Sequence, residues 1–265
     1  MICNCHNDEI NSILSYVDGE YYKCLYLYLN IQKYGCSSDT TKTWKQTVDG
    51  EVKSVMLAYH SALHIYSKRL DFDIPELTEF ILMRNPSIVC ATADTIRLLA
   101  PYLCSKGFSS EFGYIGKHVN SIQQQNGYTI TLANKSDVVE IARLLYEDED
   151  IGASYTLDDL EKQIEERLSD GYVRSYVIRD GDRVVAHLGT GAETDNLCTI
   201  SYVITAPDHR GQGLSTALFS YSCERLKEEG KEIYSVYYPE NSRRLHHKMG
   251  FVDFCEFGKL YRNIQ

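Results

Sequence analysis

A short polar loop with two glycines separates an apolar strand from a long helix in the C-terminal half of the sequence. The strand predicted over Cys198–Thr205 stops at Pro207, because proline cannot donate to a sheet ladder. Gly211 and Gly213 allow a tight turn and a close approach of the backbone to a ligand. The helix predicted from Leu214 to about Glu228 begins with unpaired amides at the positive end of its dipole. The loop therefore predicts an anion-binding site.

The run Arg210-Gly211-Gln212-Gly213-Leu214-Ser215 would suit a pyrophosphate, with Arg210 as a fixed positive charge. It differs from two other phosphate-binding loops. The dinucleotide fingerprint needs a third glycine, which is missing after Gly213, and the P-loop needs Gly-Lys-Ser/Thr, which is also missing. On the residues alone, a plain helix-initiating turn stays open as the alternative.

Regular patterns surround this loop from Tyr128 onward. β-Branched and aromatic residues predict strands, apolar residues three and four apart predict helices, and Ser136, Thr156 and Gly171 are predicted as helix caps. The predicted order is strand Tyr128–Leu132, two helices, strands Tyr172–Ile178, Arg183–Gly189 and Cys198–Thr205, the helix from Leu214, strand Ile233–Tyr238, helix Ser242–Met249 and strand Val252–Tyr261. The sequence therefore predicts a mixed α/β (α+β) fold, with helices on both faces of a mixed sheet.

The N-terminal half shows weaker patterns. Its predicted elements are helices Glu20–Tyr34, Ile74–Met83 and Thr95–Cys104, and strands Val52–Tyr59, Ala62–Tyr66, Ile88–Ala91 and Phe112–Ile115. The polar segment His118–Gly127 is almost without charge and is interpreted as a linker, so we predict two domains, 1–120 and 127–265. Gly107-Phe108 and Gly250-Phe251 are each followed by Glu-Phe-Gly. This similarity indicates a degenerate internal repeat, with chance as the alternative.

Composition limits the classes of function. The 265 residues carry a net charge of −10, which disfavours nucleic-acid binding and suits a cationic partner such as a small-molecule amine. No apolar run is long enough to cross a membrane, and the first residues do not resemble a secretory signal, so we expect a cytoplasmic protein without membrane contacts. The nine cysteines follow no disulfide spacing, and Cys3-Asn4-Cys5-His6 has no second ligand cluster, so we expect reduced thiols and no metal.

The loop and a second motif give the sequence a resemblance to the GNAT N-acetyltransferase superfamily. Arg210, Gly213 and Ser215 occupy the fixed places of its Arg/Gln-x-x-Gly-x-Gly/Ala cofactor loop, with Ser215 as a departure. Asn241 and Gly250-Phe251 match the family's second feature, an Asn after the next strand and a helix that ends in Gly-Phe. The resemblance covers roughly Tyr128 to Tyr261.

The stretch Val203–Gly213 is most similar to the glycine N-acyltransferase-like branch of that superfamily. The resemblance implies two GNAT-type domains in tandem, each a mostly antiparallel sheet flanked by helices. The N-terminal half resembles a degenerate copy, and because it lacks the cofactor loop we assign it no cofactor.

The family pattern implies acetyl-CoA as the acyl donor and names its binding residues. Backbone groups of Val203, Ile204 and Thr205 would pair with the pantetheine arm, and Asn241 would bond to the same region. Asn241 as a plain helix cap is the alternative. Besides Arg210, the pyrophosphate would bind to the amides of Gly211, Gln212, Gly213, Leu214, Ser215 and Thr216.

Direct acyl transfer to an amine needs a base, a polarised thioester carbonyl and an acid for the leaving thiolate. A main-chain N–H near Val203 is the candidate for the carbonyl. The family often uses a Tyr four residues before Gly-Phe as the acid, a place that His246 takes here; counting from Asn241 gives Lys248 instead. Further acid candidates are Tyr237 and Tyr238.

The base is less defined by the sequence. Thr199 stands where some family members carry a Glu, so Glu193, His187 and a chain of waters are the candidates. Glu193 as a solvated loop carboxylate is the alternative.

The predicted function is transfer of an acetyl group from acetyl-CoA to a primary amine of a small molecule or amino-acid-like acceptor. The alternatives are a catalytically inactive acetyl-CoA sensor or interaction module, and a structural dimer without cofactor. The sequence is compatible with a homodimer and does not identify the acceptor.

Overall fold

The computed structural model describes residues 1–120, 127–152, 155–171, 173–238 and 240–262. The chain divides into two compact units. Among the described residues, unit 1 consists of Met1–Ile115 and Cys255–Arg262, and unit 2 consists of Gly116–Phe254. No helix among the described residues has the length and apolar character needed to cross a membrane.

Unit 1 is built on a sheet whose strands are mostly antiparallel. Its elements are β1 (Ile2–Asn4), α1 (Ile10–Val17), α2 (Leu25–Tyr34), β2 (Thr41–Val48), β3 (Glu51–Tyr59), β4 (Ala62–Tyr66), α3 (Ile74–Arg84), β5 (Ile88–Thr92), α4 (Ala93–Leu103) and β6 (Ser109–His118). The strands follow one another in the order β1 to β5, and only the pair β4–β5 is parallel.

Unit 2 repeats the same succession of strands and helices, with one short extra helix. Its elements are β7 (Ile130–Leu132), α5 (Val138–Tyr146), α6 (Glu149–Gly152), α7 (Leu157–Asp170), β8 (Ser175–Asp180), β9 (Arg183–Glu193), β10 (Leu197–Thr205), α8 (Leu214–Glu228), β11 (Glu232–Tyr237), α9 (Glu240–Lys248) and β12 (Phe251–Tyr261). The order is β7 to β11, and only β10–β11 is parallel. The second part of β12 pairs antiparallel with β5 and is counted with unit 1. The predicted fold class is therefore confirmed.

Local signals explain the helix boundaries near the site. Thr156 accepts a hydrogen bond from the Asp159 amide at the start of α7, and Gly171 ends the helix with a φ of +66°, as predicted. The prediction that Ser136 caps α5 is wrong. The Asn134 side chain accepts from the Ser136 amide instead, and one 3₁₀ turn, Lys135–Asp137, precedes the helix.

The core of unit 2 fixes α8 against the sheet. Ala217, Leu218 and Phe219 are buried among strand residues such as Val185 and Ile200. Burying a side chain of this size stabilises the fold by about 1.5–3 kcal/mol. The packing of α8 therefore determines where its first turn lies.

Most predicted elements match observed ones within a few residues, including β4 and α8 at the predicted bounds. Three elements of unit 1, β1, α1 and β2, were not predicted. Tyr172, the predicted start of β8, lies outside the described residues, and β8 begins at Ser175. In the predicted linker, His118 is the last residue of β6, and residues 121–126 lie outside the described part.

Candidate functional site

Strands β10 and β11 separate part of the way along their length. Their parallel register runs from Leu197 opposite Glu232 to Ile200 opposite Ser235. Strand β10 then continues to Thr205 without a further registered partner on β11 among the described residues. This second part of β10 contains Val203, Ile204 and Thr205, the predicted pantetheine-binding residues. An unpaired stretch of strand backbone can bond to an extended ligand as a neighbouring strand would.

A β-bulge lies where the two strands have separated. Ser201 pairs with Gly189 and Ile204 with His187, so that Tyr202 and Val203 together face the single residue between Gly189 and His187 on β9. Tyr202 has a φ of +51°, a left-handed conformation that is rare for a bulky residue. The bulge changes the direction of the main chain next to the open edge of β10.

The glycine loop leaves the first amides of α8 unpaired. Gly211 and Gly213 have φ values of +79° and +86°, and no side chain caps the helix. The first main-chain bond of the helix runs from the Ala217 amide to the Gly213 carbonyl. No described group accepts a hydrogen bond from the six preceding N–H groups, those of Gly211, Gln212, Gly213, Leu214, Ser215 and Thr216. Such a helix start binds anions.

Side chains near the loop hold it in place. The Thr205 and Ser215 hydroxyl oxygens are 2.8 Å apart, and Arg210 Nε donates to the Thr205 carbonyl at 3.2 Å. The hydroxyl of Tyr128 donates to the Gln212 carbonyl at 2.5 Å. No local pattern indicates this role of Tyr128, because the contact joins residues 84 positions apart.

Arg210 and Asn241 are both exposed at the surface of unit 2. The Arg210 side chain is 57% exposed, and its guanidinium is 3.8 Å from Asp148, which leaves the cation able to approach an anionic ligand. Asn241 lies in the first turn of α9, where its side-chain oxygen accepts from the Ser242 amide. Asn241 therefore satisfies one free amide of the first turn, and its side-chain nitrogen takes no part in this bond.

His246 lies in the core of unit 2. It is 3% exposed and packs against Phe219, Phe251 and Tyr237 with ring centroids 4.4–5.2 Å apart. Its Nδ1 is 2.8 Å from the Ser242 carbonyl, and its Nε2 is 2.8 Å from the Ser235 hydroxyl.

Because a carbonyl only accepts, the His246 proton sits on Nδ1, and Nε2 faces the Ser235 hydroxyl, which itself donates to the Ile200 carbonyl at 3.1 Å. Burial lowers the pKa of His246 to about 4. At neutral pH this imidazole therefore holds no second proton for a leaving thiolate, which argues against the predicted role of His246 as the acid.

Glu193 is held in an ion-pair network. Arg174 donates to both carboxylate oxygens, at 3.0 and 2.7 Å, and the Thr190 hydroxyl donates at 2.7 Å. Lys231 Nζ is 3.8 Å away, and the Glu193 side chain is only 12% exposed. Both carboxylate oxygens of Glu193 are therefore engaged by donors of the protein itself. The geometry therefore argues against Glu193 as the base.

The remaining candidates for the acid and the base differ in how exposed and how engaged their side chains are. Tyr237 is buried, and its hydroxyl donates to Asp253 at 2.6 Å, while Tyr238 is half-buried and Lys248 is exposed. Thr199 is fully buried, and its hydroxyl has no partner among the described residues. His187 is buried beside the bulge, with Nδ1 bonded to the Tyr202 carbonyl.

Two buried cysteines and the possible metal ligands complete the list of candidate groups. Burial raises the pKa of Cys223 to about 12 and that of Cys198 well above its usual range, so both are protonated thiols and poor nucleophiles. Among the described residues, no group of three or more His, Cys, Asp or Glu side chains has the arrangement of a metal site.

Residues 137–251 match the model of the Acetyltransferase (GNAT) family. No curated protein matches the sequence significantly. Among solved structures, a GCN5-related N-acetyltransferase-like protein from Streptococcus suis is 13% identical, with a TM-score of 0.64 over 97% of this chain and 99% of that one. A tandem GNAT protein from the clavulanic acid biosynthesis pathway is 10% identical, with a TM-score of 0.60 over 98% and 97%.

A Drosophila protein of known structure is also similar, with 11% identity and a TM-score of 0.70 over 98% of both chains. At these identities the similarity shows the fold alone. The chain therefore has the GNAT fold, and unit 2 contains the segment that matches the family model.

Proposed function

Since residues 137–251 match the GNAT acetyltransferase family model, we propose that the chain transfers an acetyl group from acetyl-CoA to a primary amine of a small molecule. The observation that carries the proposal is the row of six amides from Gly211 to Thr216, for which the described part of the chain offers no acceptor. A diphosphate presents several anionic oxygens to such donors, and charge-assisted bonds of this kind are the strong ones.

The separated strands supply the second half of the proposed cofactor site. The pantetheine arm would bond to the backbone of Val203, Ile204 and Thr205, and Asn241 would contact the same region. The thioester of the bound acetyl-CoA would then lie beside the bulge, where a main-chain N–H near Val203 would polarise the thioester carbonyl. The amine attacks this carbonyl directly, and the thiolate of coenzyme A leaves, so no protein nucleophile is required.

We propose that waters move the protons in this transfer. Glu193 and His246 are engaged by protein groups, and the neutral Thr199 on β10 stands where some family members carry a Glu as the base. An ammonium group loses one proton to water before it attacks, the nitrogen loses a second proton to water once the C–N bond has formed, and the thiolate gains one from water after it leaves. The net charge of −10 favours a cationic acceptor at the encounter.

The similarity of element order supports unit 1 as a second GNAT-like copy without a cofactor. Helix α3 occupies the place that α8 has in unit 2, but its N-terminus is closed. The Asp73 carboxylate accepts from the Glu76 amide at 2.9 Å, and Pro75 has no N–H to offer. Two acidic side chains at this helix start would also repel a phosphate.

Calorimetry and turnover together test the proposal. We expect acetyl-CoA to bind at one site per chain, and free coenzyme A to appear when an amine panel is supplied. Two binding sites per chain would contradict the assignment of unit 1. No heat at millimolar acetyl-CoA would overturn the cofactor assignment and favour a structural protein.

A second candidate is an acetyl-CoA sensor or interaction module without catalysis. It is favoured by the same two observations, the engaged Glu193 and the buried His246. Binding of acetyl-CoA with no release of coenzyme A over a panel of amines would support this candidate against the enzyme.

A further inference from the structure

The bulge of β10 contains two unfavourable features side by side. Tyr202 is left-handed at φ +51°, which costs about 1–2 kcal/mol for a residue with a Cβ. Next to it, Nε2 of the buried His187 has no hydrogen-bond partner among the described residues. A buried polar atom without a partner costs about 1–3 kcal/mol. Strain that persists in a fold is concentrated at functional positions, so this pair indicates a role.

The orientation of the His187 ring follows from its one hydrogen bond. Nδ1 is 2.9 Å from the Tyr202 carbonyl oxygen, and because that oxygen only accepts, Nδ1 carries the proton. Burial, aided by the nearby Arg167 charge, lowers the pKa of His187 to about 4, so the ring is neutral at pH 7. The ring therefore donates to the bulge and leaves Nε2 unpaired.

Gly189 provides the space for this ring. A Cβ on Gly189 would lie 3.2 Å from His187 Cε1 and 3.6 Å from the Ser201 carbonyl oxygen. The first distance is shorter than most carbon contacts, so a side chain there would displace the ring. Gly189 and Ser201 are directly paired across β9 and β10 and are the last pair before the bulge, so the space left by the missing Gly189 side chain lies next to the bulge.

We propose that His187 is a positioning residue that locks the bulge: its Nδ1–H bond to the Tyr202 carbonyl holds the left-handed residue and so fixes the main chain of Val203 for the thioester carbonyl. This inference rests on the proposed acetyl transfer, in which a main-chain N–H near Val203 polarises that carbonyl. The chemical step itself involves no atom of His187. The lock acts on kcat, since the anion contacts of the glycine loop are made by other residues.

The test uses the full chain with four variants. His187→Phe keeps a ring but removes the donor, and we expect kcat to fall roughly 10- to 100-fold, because a misplaced carbonyl-polarising donor loses part of its effect. His187→Asn carries an N–H close to the position of Nδ1 and should restore most of the activity. The Kd of acetyl-CoA should change less than about 3-fold in both, since about 0.6 kcal/mol is the most we assign to indirect effects.

The third variant relieves the strain instead of removing the donor. Tyr202→Gly adopts a positive φ without help. Placed in the His187→Phe background, it should recover at least part of the lost kcat. The fourth variant, Gly189→Ala, displaces the ring by a few tenths of an ångström and remains foldable, so it should lower kcat less than His187→Phe.

Amide hydrogen exchange of residues 201–204 gives a readout that does not need activity. We expect faster exchange there in His187→Phe, and exchange close to the unmodified chain in His187→Asn. Unchanged kcat and unchanged exchange in His187→Phe would overturn the lock. A loss of kcat that neither His187→Asn nor Tyr202→Gly relieves would overturn it as well.

The outcomes separate this inference from the proposed function. If the unmodified chain releases no coenzyme A with any amine, acetyl transfer fails, and with it the catalytic purpose of the lock. Exchange at residues 201–204 then still decides whether His187 holds the bulge. If the unmodified chain is active and the four variants behave alike, only the lock fails.

Discussion

Replacing Gly211 by aspartate would place a carboxylate among the amides proposed to bind the pyrophosphate. Gly211 is exposed, and a Cβ built on it meets no atom within 4 Å, so the change is sterically tolerated. Its φ of +79° adds some backbone strain, which Asp tolerates better than most residues. The expected effect on binding is therefore electrostatic.

The magnitude follows from the geometry of the helix start. A carboxylate about 4 Å from one phosphate charge is repelled by about 1 kcal/mol in water and about 4 kcal/mol at the lower effective dielectric of a protein surface. With two phosphate charges in reach and the amides partly occupied by the new carboxylate, we expect a loss of about 2–4 kcal/mol. The Kd of acetyl-CoA then rises roughly 30-fold to several hundred-fold.

Two controls isolate the charge. Gly211→Asn has nearly the same shape and tolerance for a positive φ but no charge, so its Kd should stay within about 3-fold of the unmodified chain. Gly230→Asp introduces the same residue at a φ of +77°, also with no atom within 4 Å of the Cβ, beyond the other end of α8.

Calorimetry at two salt concentrations measures all three variants, and the deficit of Gly211→Asp should shrink at high salt because exposed charges are screened. Equal weakening by Gly211→Asn, or a Gly211→Asp protein that binds as tightly as the unmodified chain, would refute the amide site.

Three other predictions concern the glycine loop and the stability of the fold. Thr205→Val removes the hydroxyl contact with Ser215, so we expect unfolding free energy to fall by about 1 kcal/mol and the Kd of acetyl-CoA to rise a few-fold, measured by denaturation and calorimetry; an unaltered Kd would mean that the loop needs no such support. Gly116→Ala places a Cβ 2.5–2.9 Å from the Tyr237 ring and hydroxyl, so the unfolding free energy should fall by about 1–3 kcal/mol, and a denaturation midpoint equal to that of the unmodified chain would contradict it. Burial lowers the pKa of four histidines to about 4 and keeps them neutral. Between pH 6.5 and pH 4 the unfolded chain therefore binds protons at these residues that the folded chain does not bind. Their stabilising contribution is complete above pH 6.5 and is lost as pH falls toward 4, by up to about 2 kcal/mol each at pH 5. Denaturation curves at pH 7.5 and pH 5 would detect this loss of unfolding free energy, and equal stability at the two pH values would contradict the prediction. These residues are His64, His118, His187 and His246.

The elements that sequence patterns predicted well carry their signals locally. Helix α7 has its cap at Thr156 and its left-handed end at Gly171, and α8 begins directly after a glycine pair. Helix α1 has a different local signal, apolar residues at helical spacing in Ile10, Ile13 and Val17, so it was predictable in principle.

Strand β2 shows why part of unit 1 was missed. Its buried positions include Thr43 and Gln46, so the alternation of apolar and polar residues that predicts a strand is hidden. Gln46 is satisfied by the backbone of Asp73 and by the Glu76 side chain, about 30 residues away. Such a partner is defined only by the folded chain.

The candidate site likewise contains parts that depend on neighbouring residues and parts that depend on distant ones. The glycine loop was predictable because its geometry depends on residues that stand next to each other. Whether Glu193 is free to act as a base depends on Arg174, 19 residues away, and whether His246 reaches a ligand depends on its burial beside Phe219. Motif position alone therefore predicts the backbone geometry of the glycine loop better than the surroundings of the candidate acid and base.

Three departures from regular backbone pairing follow one another between Ile200 and Thr216: the separation from β11, the bulge at Tyr202 and the uncapped start of α8. Each leaves main-chain groups without a partner or in a strained conformation, and each lowers stability. The buried side chains of α8 offset this loss, because Leu214 and Leu218 anchor the helix directly behind its open amides. A segment that only had to be stable would have gained from a capping side chain at Gly213, as α3 has at Asp73. In the proposed function, the diphosphate of acetyl-CoA would supply the acceptors that these amides lack among the described residues.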